Sequence, residues 1–405
     1  MSATSPALIF GSLCSVSFLA RFSYALARNP VLPLFALFLG AGPEAVGLAV
    51  GISTVTGIFF KLPAGSLSDV IGRRRTMLAG LLFFALMPFA YLAITEYQHL
   101  VMVRFLHGLA TAIYGPVAMA VVADIAGSRK GEWLSWFSSV AIIGTLLGAP
   151  VGGFLLSWAG PEGQPPRWAF DTIYLICGIT GTLALLLALR WLLQHEEVAH
   201  ASPGERFRRF ISGIREVGGD RRVVLTSGME GLQNLAMGAL EAFLPLFAVG
   251  VAGLSAFQAG LLWGAQVAAV LLAKPIMGRI SDQRGRKPLI LGGMVACAAA
   301  IAVIPALQGF WMLLGPALLF GLGEALVTSS TAALVADICK EKHYGTAMGV
   351  FGTLFDVGHA SGPILGGVLV GAFGYQTAFL VIAALMLASL PLFHFGMSSA
   401  QTETP

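Results

Sequence analysis

The chain has 405 residues, of which 57% are hydrophobic and only 11% charged, with a formal net charge of +4. Water-facing domains carry roughly 25% charged residues, so this composition excludes a soluble globular protein and places the chain in a membrane. The cysteines, Cys14, Cys177, Cys297 and Cys339, lie in or beside apolar runs and have neither zinc-ligand spacing nor the pattern of a disulfide framework.

A run of about 20 mostly apolar residues crosses the hydrocarbon core as one helix, and punctuation by Gly, Pro and charge predicts twelve such spans. Span 1, at 8–39, is long for one crossing, but Pro30 and Pro33 permit a kink; Arg21, Tyr24 and Arg28 share one of its faces. Span 2, at 46–68, carries Lys61 and runs into the string GSLSDVIGRRR at 65–75. Span 3 covers 76–95, and span 4, at 100–123, puts Arg104, His107 and Thr111 on one side and ends at Asp124. Span 5, at 131–158, contains GTLLGAPVGG, and span 6 covers 169–193. A basic connection at 194–222 follows, read as a solvated, membrane-facing segment with no nucleic-acid module. Span 7, at 223–249, repeats Glu230, Asn234 and Glu241 at spacings of four and seven, a single narrow helical face.

Span 8, at 256–280, carries Trp263 and Lys274 and leads into GRISDQRGRK at 278–287. Span 9 covers 289–308; span 10, at 311–337, aligns Glu324, Thr328 and Thr331 and ends at Asp337. Span 11, at 344–371, holds Asp356, His359 and SGPILGG, and span 12 covers 375–397. Lys61 and Lys274 lie near span ends, where snorkelling to headgroups is the simple reading. Phe243 and Trp263 offer an aromatic wall.

Counting Lys and Arg in alternate loops sets orientation. Arg73, Arg74, Arg75, Arg129, Lys130, Arg284, Arg286, Lys287, Lys340 and Lys342 fall on one side, joined by Arg206, Arg208, Arg209, Arg215, Arg221 and Arg222 in the long connection. The opposite loops offer little beyond Arg167. The expected arrangement is a multi-pass protein of a bacterial inner membrane with both termini cytoplasmic. The halves also repeat: the two Gly-x-x-x-Asp-x-x-Gly-Arg strings are 213 positions apart, as are VVADI at 121–125 and LVADI at 334–338. The expected organisation is a six-helix bundle at 1–193, a linker at 194–222 and a second six-helix bundle at 223–405. Internal repeats in a many-span chain characterise secondary transporters, with the site between the halves.

On these residues the sequence resembles the major facilitator superfamily along its whole length, most closely the twelve-helix drug–proton antiporter branch. GSLSDVIGRRR is similar to that family's loop signature between helices 2 and 3. LVMVRFLHGLATA resembles its helix-4 motif, with His107 where glutamine is usual. GTLLGAPVGG resembles the helix-5 antiporter motif, with one alanine between glycine and proline. The resemblance implies that spans 1, 4, 7 and 10 line a central cavity, and that the loop motif steadies one conformation of the carrier.

The candidate gate therefore comprises Gly65, Asp69, Gly72, Arg73 and Asp124, with Gly278, Asp282, Gly285, Arg286 and Asp337 in the second half. Asp124 is the expected partner of Arg73, and the glycines before the aspartates are expected to permit close helix approach; the plainer reading is that the arginines only set topology. Ionisable residues inside spans are costly and point to function. Glu324 and Asp356 are candidates for proton coupling, with His359 tuning Asp356 or sharing its proton; structural ion pairing is the alternative. Arg21, Arg104, His107, Glu230, Asn234 and Glu241 are candidate substrate contacts.

The expected activity is alternating-access transport, proton-coupled efflux of a small organic or amphipathic compound; the alternative is an anionic metabolite held by Arg21 and Arg104. The expected partners are that substrate, protons and the lipid bilayer, for a monomer without cofactor or metal. No nucleophile–base pair suggests an intramembrane hydrolase, and no Gly-Lys-Ser/Thr loop suggests a nucleotide-driven pump.

Overall fold

The computed structural model describes residues 6–160, 165–192, 220–339 and 344–402. Arg206, Arg208, Arg209, Arg215, Lys340 and Lys342 lie outside the described residues. Lipid offers backbone groups no hydrogen-bond partner, so a chain this apolar must satisfy them within helices. Among the described residues all the long elements are helices: α1 Pro6–Arg28, α2 Val31–Phe38, α3 Pro43–Ile71, α4 Arg73–Ala90, α5 Tyr97–Ile125, α6 Lys130–Ala159, α7 Arg167–Leu192, α8 Arg221–Gly250, α9 Ala256–Arg284, α10 Arg286–Val303, α11 Phe310–Ile338 and α12 Tyr344–Thr402.

The first predicted span is two helices, α1 and α2, separated at Asn29 and Pro30. Among the described residues, eleven helical stretches are long and apolar enough to cross a membrane, and the last, Ala347–Met397, has 51 residues. Non-helical Gly374 (φ 77°, ψ 172°) divides that stretch, and each piece exceeds the roughly 20 residues one crossing needs. The all-helical, twelve-span fold expected from the sequence is the fold found.

Contacts group the chain into two units, the first made of Met1–Ala41, Ile52–Arg206 and Ser255–Gly260, the second of Gly42–Gly51, Phe207–Leu254 and Leu261–Pro405. Unit 1 is organised around a core shared by α1, α4, α5, α6 and α7, in which Leu13, Val16, Leu81, Phe84, Tyr114 and Phe137 are buried. Arg167, the lone cation of its loop in the sequence reading, has a structural task in this unit. It pairs with Asp171 at 2.8 Å and donates to the carbonyls of Ile94, Leu92 (3.0 Å) and Tyr91 (3.3 Å), closing the helix end that α4 leaves open.

In unit 2, α8 is buried over most of its length and packs most extensively on α12. Glycine makes that approach possible: a Cβ on Gly358 would fall 1.8 Å from the carbonyl oxygen of Gly231, and one on Gly362 would fall 2.1 Å from that of Leu235. The first turns of α3 join this unit in the same manner, since a Cβ on Gly47 would stand 2.1 Å from the carbonyl oxygen of Pro363. Asp220 caps α8, accepting from the Arg222 backbone N–H at 2.9 Å and from its guanidinium at 3.1 Å. Partial burial pushes the Asp220 carboxyl up, but the hydrogen bonds from Arg222 outweigh it and leave the group below its usual range.

Candidate functional site

The repeated loop motif has the same build in each unit. Gly72 alone joins α3 to α4 with φ 97°, and Gly285 alone joins α9 to α10 with φ 88°. Both angles lie in the region that side chains disfavour, so the second glycine of each motif is required by the backbone. A Cβ on Gly65 or Gly278 would meet nothing within 4 Å among the described residues.

The arginine after each turn reaches the acid that ends the next long helix. Arg73 Nη1 lies 2.8 Å from Asp124 Oδ2, and Arg286 Nε lies 3.1 Å from Asp337 Oδ2. Arg286 also pairs with Asp282. Asp69 lies in α3, and its side chain is outside what the structure describes. Asp124 and Asp337 are exposed, so each pair contributes about 0.2–1 kcal/mol. Arg73→Ala and Asp124→Ala are each expected to slow turnover by about threefold to fivefold, the rate equivalent of up to about 1 kcal/mol. The double variant should be no slower than either single one, with substrate preference unchanged, in initial-rate measurements on reconstituted protein. A shifted substrate profile would place the pair in the binding site instead.

Within unit 1, α5 brings together Arg104 and His107, both fully buried. Arg104 Nη2 donates to Ser53 Oγ on α3 at 2.6 Å, and its guanidinium lies 5.6 Å from the centre of the Tyr24 ring. His107 Nδ1 is 3.1 Å from the Tyr91 hydroxyl, and the Tyr24 ring meets it edge-on at 5.0 Å. His107 Nε2 has no hydrogen-bond partner in the structure. Arg28 also lies over the Tyr24 ring, 5.6 Å from its centre. Arg21 lies beside Gly115 of α5 and Gly144 of α6.

Within unit 2 the acids sit on the faces that spacing predicted. Glu230 is fully buried and is held by neutral groups: Thr331 Oγ1 donates to Oε2 at 2.7 Å, and Asn234 Nδ2 donates to Oε1 at 3.3 Å. Glu324, half-buried on α11, accepts from Gln266 Nε2 of α9 at 3.3 Å. His359 Nε2 lies 3.2 Å from Glu241 Oε2, so this histidine faces an acid of α8 as well as lying three residues from Asp356. Asp356 is 6% exposed. Phe243 is buried against Gly366 and Trp263 is also buried.

Three contributors escaped the sequence reading. Ser53, Tyr91 and Gln266 are uncharged, and none lies on a span expected to line the cavity. A signal for Gln266 does exist: it stands 213 positions after Ser53, the partner of Arg104. The same register thus supplies the α3–α5 bond in unit 1 and the α9–α11 bond in unit 2.

Set beside known proteins, the chain matches the model of the Major Facilitator Superfamily over residues 13–270 and 235–405. It is 23% identical to the chromaffin granule amine transporter of Rattus norvegicus, over 81% of this chain and 61% of that protein. It is 21% identical to the multi-drug resistance efflux pump PmrA of Streptococcus pneumoniae, over 86% of each chain. The fold is similar to the crystal structure of the nucleoside transporter NupG, with a TM-score of 0.78, 14% identity and coverage of 96% of this chain and 99% of that one. A family match that runs through both repeats, on a fold shared with a solved transporter, makes this chain a member of the Major Facilitator Superfamily.

Proposed function

We propose that the protein is a proton-coupled exporter of small organic, cationic or amphipathic compounds, working by alternating access in a bacterial inner membrane as a monomer with both termini cytoplasmic. The observation that carries this reading is Glu230, an acid with no exposed surface in a membrane span, whose hydrogen-bond partners Thr331, Thr328 and Asn234 are all neutral. A buried acid held by neutral partners pays for its place only if its charge is used. Glu241, Glu324 and Asp356 add further acidic groups to the same unit, so a cation or a proton is the natural guest there.

Support also comes from the relatives, which include a pump named for multi-drug efflux and a transporter named for amines. The alternative, an anionic metabolite, rests on Arg21 and Arg104. Arg104 already donates to Ser53 and leans on Tyr24, which suits a structural role. Membership of the family supports transport rather than catalysis.

The test uses purified protein in liposomes with ethidium as the probe cation. An imposed pH gradient should drive ethidium accumulation, and a protonophore that collapses the gradient should abolish it. Accumulation that persists after collapse overturns the coupling, and a protein that moves only anions overturns the substrate class.

A further inference from the structure

Lys274 lies on α9, and the sequence gives it the plain task of reaching for headgroups. The helix register places it elsewhere. Gln266 of α9 bonds Glu324 of α11, and a Cβ on Gly321 would fall 2.6 Å from the Gln266 carbonyl oxygen. Sixteen residues on from Gln266 and from Gly321 come Asp282 and Asp337, which share Arg286. The two helices therefore run parallel and in step. Lys274, eight residues after Gln266, comes level with residue 329, between Thr328 and Thr331. Both threonines bind Glu230.

That position puts Lys274 within electrostatic reach of both Glu230 and Glu324. The other polar groups around the two acids are neutral: Asn234 on α8, Gln266 on α9, Cys297 on α10, and Thr328 and Thr331 on α11. From α12, His359 goes to Glu241, eleven residues along α8 from Glu230, and Asp356 adds an acid. The cluster also holds a spare acceptor, since Gln266 is fully buried and its Oε1 has no hydrogen-bond partner. A proton on Glu324 would give that amide a donor to receive.

We propose that Lys274 is the built-in counter-ion of Glu230 and Glu324, a tethered ammonium that occupies the charge position taken by a proton or an organic cation during the cycle. The inference rests on the export reading for what displaces the ammonium, but not for the cluster itself. Lys274 is exposed, so its ammonium can swing away when a guest cation arrives and return when the guest leaves. The first half has a lysine at the same register, Lys61, but its α5 carries Thr111 where α11 carries Glu324. The device belongs to one half only.

The experiment needs no substrate. Dicyclohexylcarbodiimide, an apolar reagent, modifies protonated carboxyls in apolar surroundings, and peptide mass spectrometry reads the modified fraction at Glu230 and Glu324. At neutral pH, Lys274→Gln should raise modification at both sites by about threefold or more, the effect of removing a neighbouring opposite charge. Lys274→Arg should stay at the wild-type level, and so should Lys61→Gln. Unchanged modification in Lys274→Gln overturns the proposal and returns Lys274 to the lipid headgroups. An equal rise in Lys274→Arg overturns it too, because shape rather than charge would then matter. Absent ethidium transport with this labelling pattern intact would fault the export reading alone.

Discussion

Glu324→Gln is expected to uncouple transport from the proton gradient. One pH unit stores about 1.36 kcal/mol, enough for about tenfold accumulation of a cation exchanged for one extra proton. The variant should bring the accumulation ratio in liposomes from that level towards unity. Glutamine keeps the size of the side chain and can still accept from the Gln266 amide, 3.3 Å away in the wild type, so binding and substrate exchange should survive. The informative comparison is therefore exchange against gradient-driven uptake in the same preparation. Asp356→Asn offers the contrast, because Asp356 lies on α12. Gradient-driven accumulation that remains intact in Glu324→Gln and collapses in Asp356→Asn would transfer the coupling role between the two acids.

Gly358→Val is expected to have the largest effect on folding. The added Cβ would fall 1.8 Å from the Gly231 carbonyl oxygen, against backbone that cannot rotate away. Helices α8 and α12 would have to separate along a contact that also contains Gly238 and Gly362. The cost should exceed the roughly 1–3 kcal/mol typical of overpacking, because main chain rather than side chain must move. Separation would also pull His359 from Glu241. Gly352→Ala on the same helix is the control: its Cβ meets nothing within 4 Å, so it should match or slightly exceed wild-type stability. The yield of monodisperse protein and its thermal midpoint check both. A Gly358→Val protein as stable as wild type would show that this contact is not held in solution.

Much of the architecture was legible because lipid makes the rules simple. Apolar runs had to be helices, and the constant offset of 213 announced a repeat before any contact was known. Arg73 and Asp124 could be paired because both lie at span ends on the same, positively charged side of the membrane. Glu230 and Asn234 could be placed on one face because helical spacing alone decides it. Contacts between helices were harder. Nothing in the periodicity of α9 says that Gln266 meets Glu324, or in α5 that His107 meets Tyr91, since rotation of each helix about its axis is set by packing. The glycines mark the same boundary. Gly65 and Gly72 look alike in the motif, yet only the backbone angle shows that Gly72 is the indispensable one.

That single-residue joint has a mechanical meaning. A loop of several residues would let α3 tilt while α4 stayed still, but one glycine leaves no slack to absorb the tilt. The two helices must therefore act as a bent lever, with Arg73 fixed at the elbow. Any displacement of α3 is delivered to the Arg73–Asp124 contact undiminished, and the matching elbow at Gly285 does the same for Arg286. On the proposed alternating-access reading, each motif would couple the tilt of a helix to the making or breaking of an ion pair, a transmission as much as a latch.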